Sequence, residues 1–223
     1  MASLANFYSD TRNGFTLLRS CSHGPKVIEN AAGEIIKIFY PKKKLSSNIF
    51  RPYAERFCEN ARQLAELDLR VPLVKSSYFC EDTRTYIVSY DKLPGDEVSS
   101  IAAKGNSNIL YDVMEYLSML HEKGVFFRAI HLSNLLCLGE KDFALIDIAD
   151  LKIQKKPLSF IMRYRNLRHL LMYQEDRKLW EERGLIYWLD YYCQIAGLPK
   201  LIKKCLLGYF SYKYFRRPFF SIQ

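Results

Sequence analysis

Strand-like and helix-like patterns of apolar residues are segregated along this chain. Glu34-Ile-Ile-Lys-Ile-Phe-Tyr40 is β-branched and aromatic and lies between Gly33 and Pro41, which predicts a strand. Residues 13–40 contain further strand-like stretches, broken by Gly24, Pro25 and Gly33. Over 51–68, Phe57, Ala61, Leu64, Ala65 and Leu67 fall at helical spacing, and Pro72 stops this helix near Leu69. Val74–Cys80 and Thr85–Tyr90 read as two more strands, with Glu81-Asp82 beginning the turn between them.

Pro94 and Gly95 punctuate a break in Asp91–Asp96, and the lobe boundary is placed there, giving lobes of 1–93 and 94–223. Ser107–Glu122 then carries an apolar stripe at Ile109, Val113, Tyr116, Leu117 and Leu120. An irregular stretch, Gly124–Asn134, leads into a hairpin of Leu135–Leu138 and Phe143–Ile146 around Gly139–Asp142. From about Leu158 the chain reads as helices punctuated by Gly184, Gly197-Leu-Pro199 and Gly208. Strands gathered ahead of helices indicate α+β and not a doubly wound sheet.

Composition narrows this picture. With 223 residues, 49% of them hydrophobic and 14% aromatic, the chain is long enough for two small lobes with real cores. Its apolar runs are far too short to span a bilayer, and Met1–Phe7 has no basic start followed by an apolar stretch, so no signal peptide is expected. The six cysteines are scattered without CxxC or zinc spacing, and most of them read as small core residues of a reducing compartment. The net charge of +9 suggests an anionic partner: nucleotide phosphates, a phosphorylated glycan, acidic lipid or nucleic acid. Lys203–Phe220 interleaves cations with aromatic rings, which suits a membrane interface or stacked bases, and equally a last helix packed on the core.

Lys37 sits mid-strand among apolar neighbours. A lysine there either binds phosphate or faces water from an edge strand, and the alternation fits both. The most informative stretch is Leu120-His-Glu-Lys-Gly-Val-Phe-Phe-Arg-Ala-Ile-His-Leu-Ser-Asn-Leu-Leu136 with Phe143-Ala-Leu-Ile-Asp-Ile-Ala-Asp150. It resembles the catalytic segment of the protein-kinase-like superfamily: a helix ending Leu-His-x-x-Gly, an HxDxxxxN loop, and a hairpin leading to an Asp-Phe-Gly-like metal site. Leu120-His121 and Gly124 match the helix end, Asn134 the loop Asn, and Asp147 the metal-site Asp, with Ile148-Ala149 in place of Phe-Gly.

The resemblance implies a two-lobed protein-kinase-like fold, with a small β-rich N-terminal lobe and a short helical C-terminal lobe, that binds ATP and Mg²⁺. Lys37 would hold the phosphates and Glu59 on the following helix would orient it. The hinge Val88-Ser89-Tyr90 would offer backbone groups to adenine, and Asn134 and Asp147 would bind metal. The chain looks most like the bacterial lipopolysaccharide-core (Kdo/heptose) kinases and their toluene-tolerance relatives. That likeness implies transfer to a hydroxyl of an inner-core sugar by a cytoplasmic protein at the inner face of the inner membrane, and leaves nucleic acid as the less favoured partner. Arg163-Tyr-Arg-Asn-Leu-Arg168 resembles the basic segment such kinases carry there; it would bind an acceptor phosphate or form a solvated helix face.

The loop departs from the family pattern. Ala129 stands where the catalytic Asp is expected and Phe127 where the His is, and no GxGxxG is present. A methyl group accepts no proton. Either His131 or Asp150 replaces the base, or positioning suffices without one. Otherwise the chain is a pseudokinase acting as a regulatory or binding module. A third reading is a basic membrane or nucleic-acid-binding protein that shares only the fold.

Overall fold

The computed structural model describes residues 14–41 and 51–216. The start of the chain, where a signal peptide was sought, and residues 217–223 of the basic-aromatic tail lie outside the described residues. The chain divides into two compact units. The first contains residues up to Pro94 together with Ala144–Asp150; the second contains Gly95–Phe143 and everything from Leu151 onward. The segment carrying Asp147 therefore belongs with the N-terminal strands, although the sequence reading placed it in the C-terminal lobe.

The first unit is a five-stranded antiparallel sheet. Its strands are β1 (Thr16–Cys21), β2 (Gly24–Glu29), β3 (Glu34–Phe39), β4 (Val74–Cys80) and β5 (Thr85–Asp91), in the order β1-β2-β3-β5-β4. β3 and β5 are interior strands, which suits their Val/Ile/Tyr content. Lys37 pairs with Val27 on one side and Val88 on the other. The β1–β2 hairpin closes with Cys21 opposite Gly24. At the next turn the Asn30 side chain accepts the N–H groups of Ala32 and Glu34, and Gly33 takes the positive φ of 78°. Gly24 and Gly33 thus both serve tight turns.

Helix α1 (Tyr53–Ala65) lies in the span expected of it. Its stripe of Ala54, Phe57, Ala61 and Leu64 is buried, and burying Phe57 and Leu64 contributes about 1.5–3 kcal/mol each. Ala144–Asp150 joins this unit through a parallel bridge between Arg70 and Ala144 and a hydrogen bond from Leu145 N–H to the Arg70 carbonyl, 2.9 Å.

The second unit is mainly helical: α2 (Val98–Ala103), α3 (Ile109–Glu122), α4 (Phe160–Met172), α5 (Arg177–Glu181), α6 (Leu185–Ile195) and α7 (Lys200–Arg216). The stripe foreseen for α3 buries Ile109, Val113, Leu117 and Leu120. β8 (Leu135–Gly139) and β9 (Asp142–Leu145) form the expected hairpin, and β6 (Asp96–Glu97) adds to it through β8. The stretch read as irregular contains a strand, β7 (Val125–Phe127), which pairs with β10 (Leu151–Ile153). In α7, Leu206 and Phe210 are buried while Leu201 and Tyr209 are exposed. Among the described residues no helix is long and apolar enough to cross a membrane. An antiparallel sheet with one helix, followed by helices with an embedded hairpin, is the α+β element order that the sequence pattern predicts.

Candidate functional site

In the first unit, Lys37 and Asp147 meet. Lys37 Nζ donates to Asp147 Oδ1 at 2.7 Å; the lysine side chain is 5% exposed and the aspartate 35%. The wet-face reading of Lys37 is therefore set aside. Two aromatic rings also approach the ammonium, Phe57 at 4.9 Å and Phe39 at 5.6 Å from their centroids, within cation–π range. Burial pulls Lys37 below the ordinary lysine range, and Asp147 opposes that pull without overcoming it. Burial also acts against the Asp147 charge, but here the Lys37 ammonium wins, helped by Lys26 and Arg19, and the carboxyl is held below its ordinary range. The more deeply buried partner loses more to desolvation than the half-open one, which is why the lysine is pulled below its ordinary range while the aspartate is stabilised as the charge of the pair. Arg19 on β1 and Lys26 on β2 both lie within electrostatic reach of Lys37 on β3.

Asp147 adopts φ 55°, a left-handed conformation that costs a non-glycine residue energy and persists only where its surroundings hold it. One such support is Asn60 on α1, 8% exposed, whose Nδ2 donates to the Ile148 carbonyl at 2.7 Å. Asp150 closes the short turn Ile148–Asp150 and is half-buried.

Two expectations are corrected here. Glu59 is not brought to Lys37. Its carboxylate accepts from Arg62 Nη2 at 2.8 Å and from Gln63, and these bonds pull its pKa down to about 2. The α1 residue facing the lysine is Phe57. Ser89 and Tyr90 do not form an open hinge either. They lie inside β5, paired with β3 on one side and β4 on the other, so their backbone is engaged in the sheet. Ser89 shares a side-chain hydrogen bond with Ser76 at 2.7 Å, and the buried Tyr90 ring packs 5.5 Å from Phe57. The chain leaves the sheet only after Asp91, at Lys92–Pro94.

In the second unit, the loop after β7 is held at four points. Asn166 Nδ2 donates to the Phe127 carbonyl at 2.6 Å, and Asn134 Nδ2 to the Ala129 carbonyl at 2.9 Å. Asp176 Oδ2 accepts from Leu132 N–H at 2.7 Å, and His131 stacks on Tyr173 at 4.4 Å with the rings 9° apart. Asn134 is fully buried and its Oδ1 has no hydrogen-bond partner among the described residues. The buried, unsatisfied amide oxygen of Asn134 and, in the first unit, the carboxylate of Asp147 are each hard oxygen donors of the kind Mg²⁺ takes. Among the described residues no three His, Cys, Asp or Glu side chains gather as a metal site of their own.

Arg163 departs from both readings of its segment. It is 6% exposed, and it donates from Nε to the Leu158 carbonyl at 2.9 Å, from Nη1 to Tyr192 Oη at 3.2 Å and from Nη2 to Glu122 at 2.7 Å. It is a structural cation that neither meets solvent nor presents itself to a ligand. Arg165 and Arg168 are the exposed members of that segment. Asn60, Phe57 and Asp176 were not foreseen. For the first two the signal was present, since the α1 stripe that buries Phe57 points the same face inward.

No family model matches the chain. Among solved structures it is similar to monomeric WbdD, with a TM-score of 0.44 and 16% identity over 75% of this chain and 44% of that one. It is similar also to WbdD co-crystallised with the kinase inhibitor LY294002, with a TM-score of 0.45 and 16% identity over 78% of this chain and 44% of that one. The chain spans less than half the length of the WbdD chains it matches.

Proposed function

We propose that this protein is an ATP- and Mg²⁺-dependent phosphotransferase whose acceptor is a hydroxyl of a cell-envelope glycan, a lipopolysaccharide inner-core sugar. The observation that carries the nucleotide part is the Lys37–Asp147 pair at 2.7 Å, set in the first unit within the field of Arg19 and Lys26. Lys37 binds phosphate oxygens. Asp147 is the metal carboxylate, and the motif assigns Asn134 as a second ligand. A magnesium ion held by these side chains would supply positive charge to offset the negative charge that develops on the transferred phosphoryl group. The glycan acceptor rests on the family resemblance of the loop and on the net charge of +9.

Ala129 removes the usual base, so proton acceptance falls to His131 or Asp150 or is dispensed with, as a loose transition state allows. The ordered loop, fixed through Phe127, Ala129, Leu132 and His131, supports an enzyme. Ala129 itself favours the second reading, a pseudokinase that binds nucleotide and acts on a partner. γ-Radiolabelled ATP, Mg²⁺ and inner-core lipopolysaccharide decide between them. Label transferred by wild type, and lost in both Lys37→Met and Asp147→Asn, is the expected result. ATP binding without transfer would leave the pseudokinase reading, and wild-type transfer by either variant would sink the site assignment.

A further inference from the structure

Helix α1 offers Lys37 a ring where a carboxylate was expected. Its acidic residues are engaged elsewhere or exposed: Glu59 with Arg62 and Gln63, Glu55 at the surface. Among the described residues, Asp147 is the ion-pair partner of Lys37. The same carboxylate is the one assigned to metal. A divalent cation that claims Asp147 must therefore take it from a lysine that is 5% exposed and has no second anion to turn to. An ammonium left buried without a counter-charge is strongly disfavoured, and the rings of Phe39 and Phe57 offset only a small part of that loss.

We infer that the Lys37–Asp147 pair is a lock which a phosphate-bearing ligand opens, so that a divalent metal gains Asp147 only when phosphate has taken over Lys37. Phe57, by occupying the place of an alternative carboxylate, makes the coupling obligatory. Asn60 is the positioning residue that keeps the lock in register, because its bond to the Ile148 carbonyl holds the backbone next to Asp147. The ligand class is a polyphosphate with its metal, loaded together, and metal alone is refused. This rests on the nucleotide reading of the site and adds the order in which the site fills.

Because binding coupling is reciprocal, the metal must tighten phosphate binding by the same factor, typically about 5–150-fold. Mn²⁺ is the probe, counted by electron paramagnetic resonance on the full chain without nucleotide. Wild type is expected to bind none at this site. Lys37→Met, which frees Asp147, is expected to gain a Mn²⁺ site that disappears again in the Lys37→Met/Asp147→Asn double variant. Phe57→Glu, which gives Lys37 a second anion, is expected to gain the site with the lysine intact. Separately, a fluorescent ATP analogue is expected to bind wild type about 5–150-fold more tightly with Mn²⁺ than with chelator. Mn²⁺ bound by nucleotide-free wild type in an Asp147-dependent way would overturn the lock, as would folded Lys37→Met and Phe57→Glu proteins that gain no site. In either case analogue binding to wild type would leave the nucleotide reading standing. An analogue that binds under neither condition overturns that reading and the lock together.

Discussion

His121 Nε2 lies 3.1 Å from Asn166 Oδ1 and sets the direction of every hydrogen bond around it. The amide oxygen can only accept, so Nε2 carries the proton and Nδ1 accepts from the Tyr192 hydroxyl at 2.6 Å. Tyr192 in turn receives Arg163, and Asn166 donates onward to the Phe127 carbonyl at the loop. A second proton on the ring would face the Tyr192 oxygen, already engaged by Arg163. Burial, with the Arg163 charge adding to it, lowers the His121 pKa to about 3, while the bond to Asn166 opposes the shift.

This network makes stability fall on the acid side. Unfolded, His121 titrates near pH 6.5. Above that pH both states are neutral and the full stabilisation is present. Below it the unfolded chain takes up a proton that the fold refuses, and stability falls by at most about 1.4 kcal/mol per pH unit down to the folded value. Denaturant unfolding of wild type and His121→Leu, compared between pH 7.5 and pH 5, is expected to show the steeper loss in wild type. Equal slopes would place the proton elsewhere. At pH 7.5 the variant itself is expected to lose about 2–4 kcal/mol, since it orphans the Tyr192 hydroxyl and the Asn166 oxygen.

Asp176 works in the opposite sense. It is 2% exposed, and burial, reinforced by Glu175 and Glu97, pushes its pKa up to about 6 despite the Leu132 N–H. The fold thus holds a proton that the unfolded chain releases near pH 3.9. Its favourable contribution is present below pH 3.9 and is lost as pH rises through 6, leaving a buried charge at neutrality. Asp176→Asn keeps an acceptor for Leu132 and is expected to raise stability at pH 7.5 by up to about 2 kcal/mol, with no gain at pH 4. A variant destabilised equally at both pH values would mean that the charge itself holds the loop.

The sheet and the long helices were legible because each spreads its signal over many residues. β3, β4, β5, α1 and α3 carry six or more residues of one periodicity, and the stops at Gly33, Pro41 and Pro72 bound them. β6, β7 and β10 contain two or three residues each, too few to show a period against their neighbours. In the site, Lys37, Asn134 and Asp147 could be picked from motif order, yet their partners could not. Glu59 was taken by residue type, whereas helix phase puts it two residues, about 200°, around from the buried Phe57. Arg163 misleads for another reason. Its partners Glu122 and Tyr192 lie 41 and 29 residues away, and a local string of basic residues looks the same whether its first member is solvated or buried.

Two glycines are expected to be intolerant of a methyl group. A Cβ on Gly95 would stand 2.2 Å from the Cys137 carbonyl oxygen, and one on Gly124 would stand 2.1 Å from the Gln154 oxygen. Both have positive φ, 100° and 77°, and both obstacles are backbone that no rotamer change can move. Gly95→Ala and Gly124→Ala should each cost several times the ~1 kcal/mol of an ordinary left-handed glycine replacement. Gly33→Ala, with open space around its Cβ, serves as the control. Thermal unfolding of the three variants ranks them, and equal shifts would contradict the close approaches.

The Lys37–Asp147 pair predicts an asymmetry between its two halves. Asp147→Asn leaves the buried ammonium of Lys37 facing a neutral amide, which should cost about 3–5 kcal/mol, reduced to the extent that the lysine sheds its proton. Lys37→Met replaces that ammonium with an apolar chain beside Phe39 and Phe57. It strands only a carboxylate whose side chain is 35% exposed, which water can solvate, so the loss should be near 1 kcal/mol or less. In Lys37→Met/Asp147→Asn no charge is left to bury, and stability should return to within about 1 kcal/mol of wild type. Urea unfolding of the four proteins completes the cycle. A double variant as unstable as Asp147→Asn would show that the carboxylate holds its left-handed turn in place by something other than the charge of Lys37.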